Sequence, residues 1–344
     1  MEAASVPASL TAQRKTPLQW VWENILWVLF GSVLAIYLVT DFTQTLEDVK
    51  TGLSNGMIWA LIALGYTLVY GIIELINFAH GEVFMIGSFI AVSLWQTLGV
   101  LGTDSPALIA LSILLALIVS MLASGSLNVM IERVAYRPLR NAPKLAPLIT
   151  AIGMSFILQN VGLLWRPAPD SSPDLIGSQK TLFTILDVDI VRSDVFAVAV
   201  TVPLLIALLW FVGRTKYGKA MRATAQDPDA ARLMGINVDR TIGLTFLLGG
   251  VLAGAAGMIY AIYNGTVQFN QGFTAGLIAF TAAVMGGIGN LKGAVVGGLI
   301  IGVIQSLSDT HFGQVWTPAI VFGILILVMV FKPSGLFGEE VREG

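Results

Sequence analysis

Residues 52–73 read GLSNGMIWALIALGYTLVYGII. The stretch contains no Asp, Glu, Lys or Arg, and at about 1.5 Å per residue a helix of this length reaches across the roughly 30 Å of a bilayer's hydrocarbon core. Inside hydrocarbon a segment must satisfy its own backbone donors and acceptors, so the stretch is predicted to be a transmembrane helix. Working outward, the same reading applies to residues 22–40, 83–98, 106–130, 147–164, 195–212, 241–263, 272–288, 293–307 and 315–331. The expected fold is an all-α polytopic membrane protein with about 8–10 transmembrane helices, some of them short or broken.

Composition agrees. The chain is 56% hydrophobic and only 12% charged, with a mean hydropathy of +0.81. Soluble domains carry about 25% charged residues to coat their water-facing surface. Half that density leaves lipid as the solvent for most of the exterior. The net charge of −2 and the scattered basic residues give no continuous basic face, which excludes nucleic acid as a partner. The absence of cysteine removes disulfides, thiolate metal sites and cysteine nucleophiles, and two distant histidines make a poor metal site. No Gly-x-x-x-x-Gly-Lys-Ser/Thr loop occurs, so no nucleotide cradle is expected on this chain.

Lys and Arg are retained on the cytoplasmic side of membrane proteins, which orients the chain. With ten crossings and an internal N-terminus, the inner side holds Arg14, Lys15, the cluster from Arg133 to Lys144, the cluster from Arg214 to Arg240, Lys292, Lys332 and Arg342. Lys50, Arg166, Lys180 and Arg192 fall outside. This predicts a cytoplasmic tail over 1–21, a membrane domain over 22–331 and a cytoplasmic tail over 332–344. The long loop 165–194 is external and the loop 213–240 internal. Segments 272–288 and 293–307 are either two thin crossings or a re-entrant pair. Because a re-entrant tip would place Lys292 at membrane depth, thin crossings are preferred.

Glycines recur four residues apart at Gly250 and Gly254, Gly293 and Gly297, and Gly298 and Gly302. Small residues at this spacing let helices approach closely in lipid, and packing within the chain is the simpler use of them. Between Thr241 and Leu291 there is no charged side chain, nor in 147–164, 195–212 or 315–331. Ion-coupled carriers ordinarily bind protons or sodium with ionisable groups at depth, so any uphill transport is expected to draw its energy from elsewhere.

The loop 213–240 carries signals for a short helix: Asp227 to cap it, Pro228 at its first position, Asp229 near its positive end and Gly235 to stop it. Such a two-turn helix is marginal alone and is either a docking element or an interfacial connector. Around Asn77, His80 and Glu82 an apolar helix breaks, and these polar groups either cap helix ends or line a solute path. Glu74 is placed to pair with His80. Asn290 sits in the turn between the two short segments. Asn264, Gln268, Asn270 and Gln271 form a neutral cluster suited to an external rim. Ser155, Glu74, His80 and Glu82 are the pool available to an intramembrane enzyme, and their spacing is not organised for catalysis.

Asp229-Ala230-Ala231 followed by Gly235 resembles the coupling loop of ABC importer permeases. More specific is Ala60-Leu61-Ile62-Ala63-Leu64-Gly65-Tyr66-Thr67-Leu68-Val69-Tyr70-Gly71 leading into Ile76-Asn77-Phe78-Ala79-His80-Gly81-Glu82. With Glu132-Arg133-Val134-Ala135-Tyr136-Arg137-Pro138-Leu139-Arg140, Met234-Gly235-Ile236-Asn237-Val238 and Met285-Gly286-Gly287-Ile288-Gly289-Asn290, it resembles the branched-chain amino acid ABC importer permease family, LivH-type, from about residue 52 to 337. The resemblance implies a subunit of the bacterial inner membrane that forms half of a translocation path. It implies as partners a second homologous permease, two cytoplasmic ATPases that hold ATP and Mg, and an external solute-binding protein. Pro228, Asp229, Ala230, Ala231, Arg232 and Gly235 would form the ATPase-coupling helix. No catalytic, metal or cofactor residue is implied on the chain itself. A urea or short-amide permease of a sister branch is the alternative solute reading, with Phe78 favouring the amino-acid branch. An ion-coupled carrier or channel working alone is the alternative of a different class.

Overall fold

The computed structural model describes residues 25–99, 105–140, 142–143 and 145–338. The expected tail 1–21, the first residues of the first span, Lys144 and the end of the C-terminal tail lie outside the described residues. Among the described residues twelve α-helices follow in order: α1 (Ile25–Thr40), α2 (Phe42–Ile73), α3 (His80–Leu98), α4 (Pro106–Ile131), α5 (Leu145–Trp165), α6 (Arg192–Arg214), α7 (Lys216–Gln226), α8 (Pro228–Leu233), α9 (Val238–Asn264), α10 (Gln271–Gly286), α11 (Leu291–His311) and α12 (Thr317–Phe331). Seven of these are long and apolar enough to cross a membrane, and α1, α10 and α12 are shorter apolar helices. The protein is an all-α polytopic membrane protein, and each of the ten apolar stretches has a helix.

The boundaries depart from the expected ones in an informative way. Asp41 accepts from the Gln44 N–H and starts α2 ten residues before the apolar stretch does, so Lys50 and Asp48 are helical. α3 likewise begins at His80, which places His80 and Glu82 in its first turn rather than in the break. α4 runs on through a π turn (Glu132–Tyr136) into a 3-10 turn (Arg137–Leu139).

α2 and α9 are mostly buried and form the centre, whereas α4, α5 and α6 expose most of their apolar length, as expected of helices whose outer face meets lipid. Small residues set the spacing. Gly52 and Gly56 of α2 lie against Gly302 and Gly298 of α11, so a side chain at either would run into the partner backbone. Gly250 and Gly254 of α9 lie against Ser120 and Ser124 of α4 in the same way, and Gly293 and Gly297 of α11 lie against α10. All three glycine pairs therefore serve packing within the chain. Ser120 and Ser124 also donate to the Gly87 and Val83 carbonyls of α3 at 3.0 and 3.3 Å. In lipid, such contacts and hydrogen bonds replace the hydrophobic drive available in water.

α11 runs antiparallel to α2, from Gly71 beside Gly289 to Gly52 beside Val303. The turn before Lys292 thus lies at the end of α2, and Lys292 is exposed there. A re-entrant tip halfway across is not what forms.

The loop 165–194 carries structure that its Asp- and Pro-rich sequence did not signal. β2 (Thr181–Ile185) and β3 (Val188–Val191) make a hairpin, turned at Leu186 and Asp187 with φ of 51° and 62°. β1 (Asp170–Ser171) pairs antiparallel with β4 (Thr266–Val267), tying this loop to the end of α9. Lys50 reaches Asp194 at 3.6 Å and the Asp189 carbonyl at 2.9 Å, which fixes the start of α6 beside the first half of α2. It follows that α7 and α8, beyond the far end of α6, sit at the opposite end of the bundle.

Candidate functional site: a polar cleft opposite a short capped helix

Near the start of α2 a cleft of about 710 Å³ opens among α2, the end of α9, the start of α10, the end of α11 and the start of α12. It exists because α10 is short: at about 1.5 Å per residue its 16 residues span about 24 Å, less than the hydrocarbon core. The first turn of α10 is held at depth, where the Gln271 amide donates to Ser88 Oγ at 2.5 Å and accepts from the Gln268 N–H at 3.0 Å. Longer neighbours wall the hollow left above it. Trp59 donates its indole N–H to Gln305 Oε1 at 2.6 Å and faces Tyr260 at 6.2 Å between ring centroids. Asn264, Gln268 and Gln271 line this cleft, with Gln271 buried on its floor rather than standing on a rim; Asn270 does not line it.

The other polar candidates do not join them. The chain leaves α2 at Glu74, in the left-handed region at φ 51°, and doubles back so that His80 lies against Gly65. Asn77, buried, donates to Asn128 Oδ1 and accepts from the Tyr136 hydroxyl, both at 3.2 Å, while Asn128 donates to the Phe246 carbonyl at 2.6 Å. It ties the break to α4 and, through Asn128, to α9. His80 packs edge-on to Tyr66 at 4.8 Å, and neither ring nitrogen has a hydrogen-bond partner, so the expected pairing with Glu74 does not form. Glu82 accepts from Ser155 Oγ at 3.3 Å and is fully buried in the first turn of α3. Asn290 caps α11 through the Gly293 N–H at 3.0 Å and donates to the Phe337 carbonyl at 2.8 Å, at the end of the bundle away from the cleft.

At that far end, α7 lies against α2, α6 and α9, and α8 follows it. Asp227 accepts from the Asp229 and Ala230 N–H groups, both at 2.9 Å, and Gly235 ends the helix at φ +83°. Asp229 and Arg232 pair with each other at 2.6 Å, which answers the Arg232 charge within the helix. Ala231 is 4% exposed and packs on the chain itself, so it seats α8 rather than offering a contact. The exposed tip is apolar: Leu233 and Met234 are 89% and 83% exposed. Beside it, Arg140 pairs with buried Glu132 and, at 2.5 Å, with Asp239, which Arg137 also holds at 2.7 Å. This lattice fastens the end of α4 to the start of α9, directly after α8.

A family model described as branched-chain amino acid transport system, permease component, matches residues 49–330. The chain belongs to this family. The permease is 41% identical over 301 residues to the high-affinity branched-chain amino acid transport system permease protein BraD of Pseudomonas aeruginosa, spanning 87% of this chain and 97% of that one. It is 40% identical over 306 residues to LivH of Escherichia coli strain K12, spanning 88% and 98%. It is 29% identical over 297 residues to a probable LivH of Methanocaldococcus jannaschii, spanning 82% and 89%. The permease is a membrane-embedded transport subunit of the ABC importer type.

Two groups of residues in the permease escaped the reading of its sequence. Leu233 and Met234 look like filler after Asp229-Ala230-Ala231, because a two-turn helix gives no periodicity from which to tell its free face. Glu47, Asp48 and Asp309 line the cleft beside the amides that were expected to form a neutral cluster. The apolar stretches at 52–73 and 293–307 stop short of them. Only the helical continuation of α2 and α11 carries the carboxylates into the wall.

Proposed function

We propose that the permease forms half of the translocation path of an ATP-driven importer of branched-chain or other hydrophobic amino acids. A second homologous permease supplies the other half. Two cytoplasmic ATPases hold ATP and Mg, and an external binding protein delivers the solute at the cleft. Both termini face the cytoplasm of a bacterial inner membrane. The observation that carries this reading is that the cleft and α8 lie at opposite ends of the same central helices, α2 and α9. A push on α8 enters α9 through Asn237, whose side chain accepts from the Arg240 N–H at 3.0 Å, and through the Arg140 lattice. Pro228, Asp229, Ala230, Arg232 and Gly235 give α8 its shape, and Leu233 and Met234 form the tip that enters an ATPase groove. The relatives' names support the solute class, and neutral amides beside Trp59 and Tyr260 suit an aliphatic zwitterion.

The test is co-purification with the products of neighbouring genes. A second permease and two ATPases are expected to come with the chain, with ATP hydrolysis stimulated by loaded binding protein. A chain that purifies alone and transports alone sinks the importer reading.

A further inference from the structure

We infer that a pocket between α4 and α9, at the end of the bundle away from the cleft, holds the headgroup of an anionic phospholipid. Arg133 and Arg240 meet its phosphate, and Val129, Leu244 and Leu247 meet the start of its acyl chains. The pocket has a volume of about 450 Å³. Among the described residues five charged side chains line it, and three of these are already answered. Arg137 pairs with Asp239, and Arg140 bridges Asp239 and buried Glu132. Arg133 and Arg240 are exposed, and among the described residues neither side chain has an ion pair or a hydrogen bond. With Arg140 included, four arginines stand against two carboxylates, so two guanidinium groups from different helices border one pocket with their charge uncompensated.

The rest of the lining decides which anion fits. Arg240, Leu244 and Leu247 follow one another along one face of α9, and Val129 stands one turn before Arg133 at the end of α4. On both helices the charge lies at the terminus and the apolar side chains lie further into the bundle, which is the order of headgroup and acyl chain in a phospholipid. Met130 and Val134, beside this lining on α4, are more than half exposed, so the pocket borders the face that meets lipid. Residue 243 leaves it open: a Cβ at Gly243 would meet nothing nearer than Glu132 Oε2 at 3.9 Å. Guanidinium groups bind phosphate oxygens through paired N–H donors, and basic pockets between transmembrane helices take anionic headgroups. A free phosphate would leave the apolar wall uncovered. A phosphatidylethanolamine brings its own ammonium to compete with the arginines, so a headgroup of net negative charge is preferred. The site does not depend on the importer reading.

The full chain in detergent, with whatever subunits co-purify, is followed by native mass spectrometry while phosphatidylglycerol or phosphatidylethanolamine of the same acyl chains is titrated in. One phosphatidylglycerol per chain is expected to stay bound at concentrations where phosphatidylethanolamine does not. Arg133→Gln combined with Arg240→Gln alters two exposed positions and should weaken this binding about tenfold or more, the scale of a lost charged hydrogen bond. Gly243→Leu keeps both arginines but fills the pocket and should have the same effect. Arg214→Gln combined with Lys216→Gln removes equal charge from exposed positions at the same end, outside the pocket, and should change nothing. Equal binding of the two lipids, equal loss in the Arg214 and Lys216 variant, or unchanged binding in either pocket variant would each overturn the site. Full displacement of the lipid by inorganic phosphate would also overturn it, as an anion site without a lipid. So would loss of the ATPases from the Arg133 and Arg240 variant with lipid binding intact, which would assign the surface to a protein contact.

Discussion

Arg140 shows how much one side chain can hold in this permease. It pairs with Glu132, which is buried, and with Asp239, which is exposed. Removing one partner of a buried pair leaves an uncompensated charge and costs about 3–5 kcal/mol. Arg140→Ala is therefore expected to lower the thermal midpoint in detergent markedly. Arg137→Ala, at an exposed pair worth at most about 1 kcal/mol, should change it little. Equal effects would show that Glu132 is not the group at stake. The sequence displayed Glu132, Arg137 and Arg140 as a cluster of charges after a span, but their partner Asp239 lies about a hundred residues on, and nothing local announces the pairing.

At the scale of elements, contact between α2 and α11 depends on glycine, and α8 depends on its tip. A Cβ at Gly302 meets the Gly52 carbonyl and Gly56 backbone, while at Gly323 of α12 nothing lies within 4 Å. Gly302→Val is expected to destabilise by about 1–3 kcal/mol or more, as overpacking does, and Gly323→Val to be nearly silent, both read from unfolding in detergent. For α8, Leu233→Asp combined with Met234→Asp alters only exposed positions, so insertion and thermal stability should be unchanged. Losing two apolar anchors should remove about 2 kcal/mol or more of docking energy and abolish recovery of the ATPases. Full recovery would move the docking face elsewhere. Ala231→Trp should by contrast disturb the permease itself, because Ala231 is packed inward. The caps of α8 were legible because Asp, Pro and Gly act within a turn of where they stand. Which side of α8 faces outward was not, since that depends on α7 and α9.

For the whole molecule, the chain's lack of cysteine gives a clean test of its orientation. In spheroplasts, an impermeant maleimide should label Asn264→Cys at the cleft, and label Leu233→Cys on α8 only after permeabilisation. The reverse pattern would invert the proposed topology. The two ends differ in composition as well as position, with amides and carboxylates around the cleft and an apolar tip on an arginine-rich surface at α8. Sequence by itself determined the solvent, the helical class, the number of apolar segments, the sites of close packing and the existence of a short capped helix after α7, because each follows from transfer of side chains to lipid or from hydrogen bonds a few residues apart. The tertiary structure alone decided that α10 stops short, that the resulting hollow is walled by Asp48 and Asp309, that Asn77 and Asn290 are clamps, and that Leu233 and Met234 stand free. Those outcomes depend on the relative depth and rotation of helices distant in the chain. Hydropathy along a single helix does not encode them when lipid and protein interior are equally apolar.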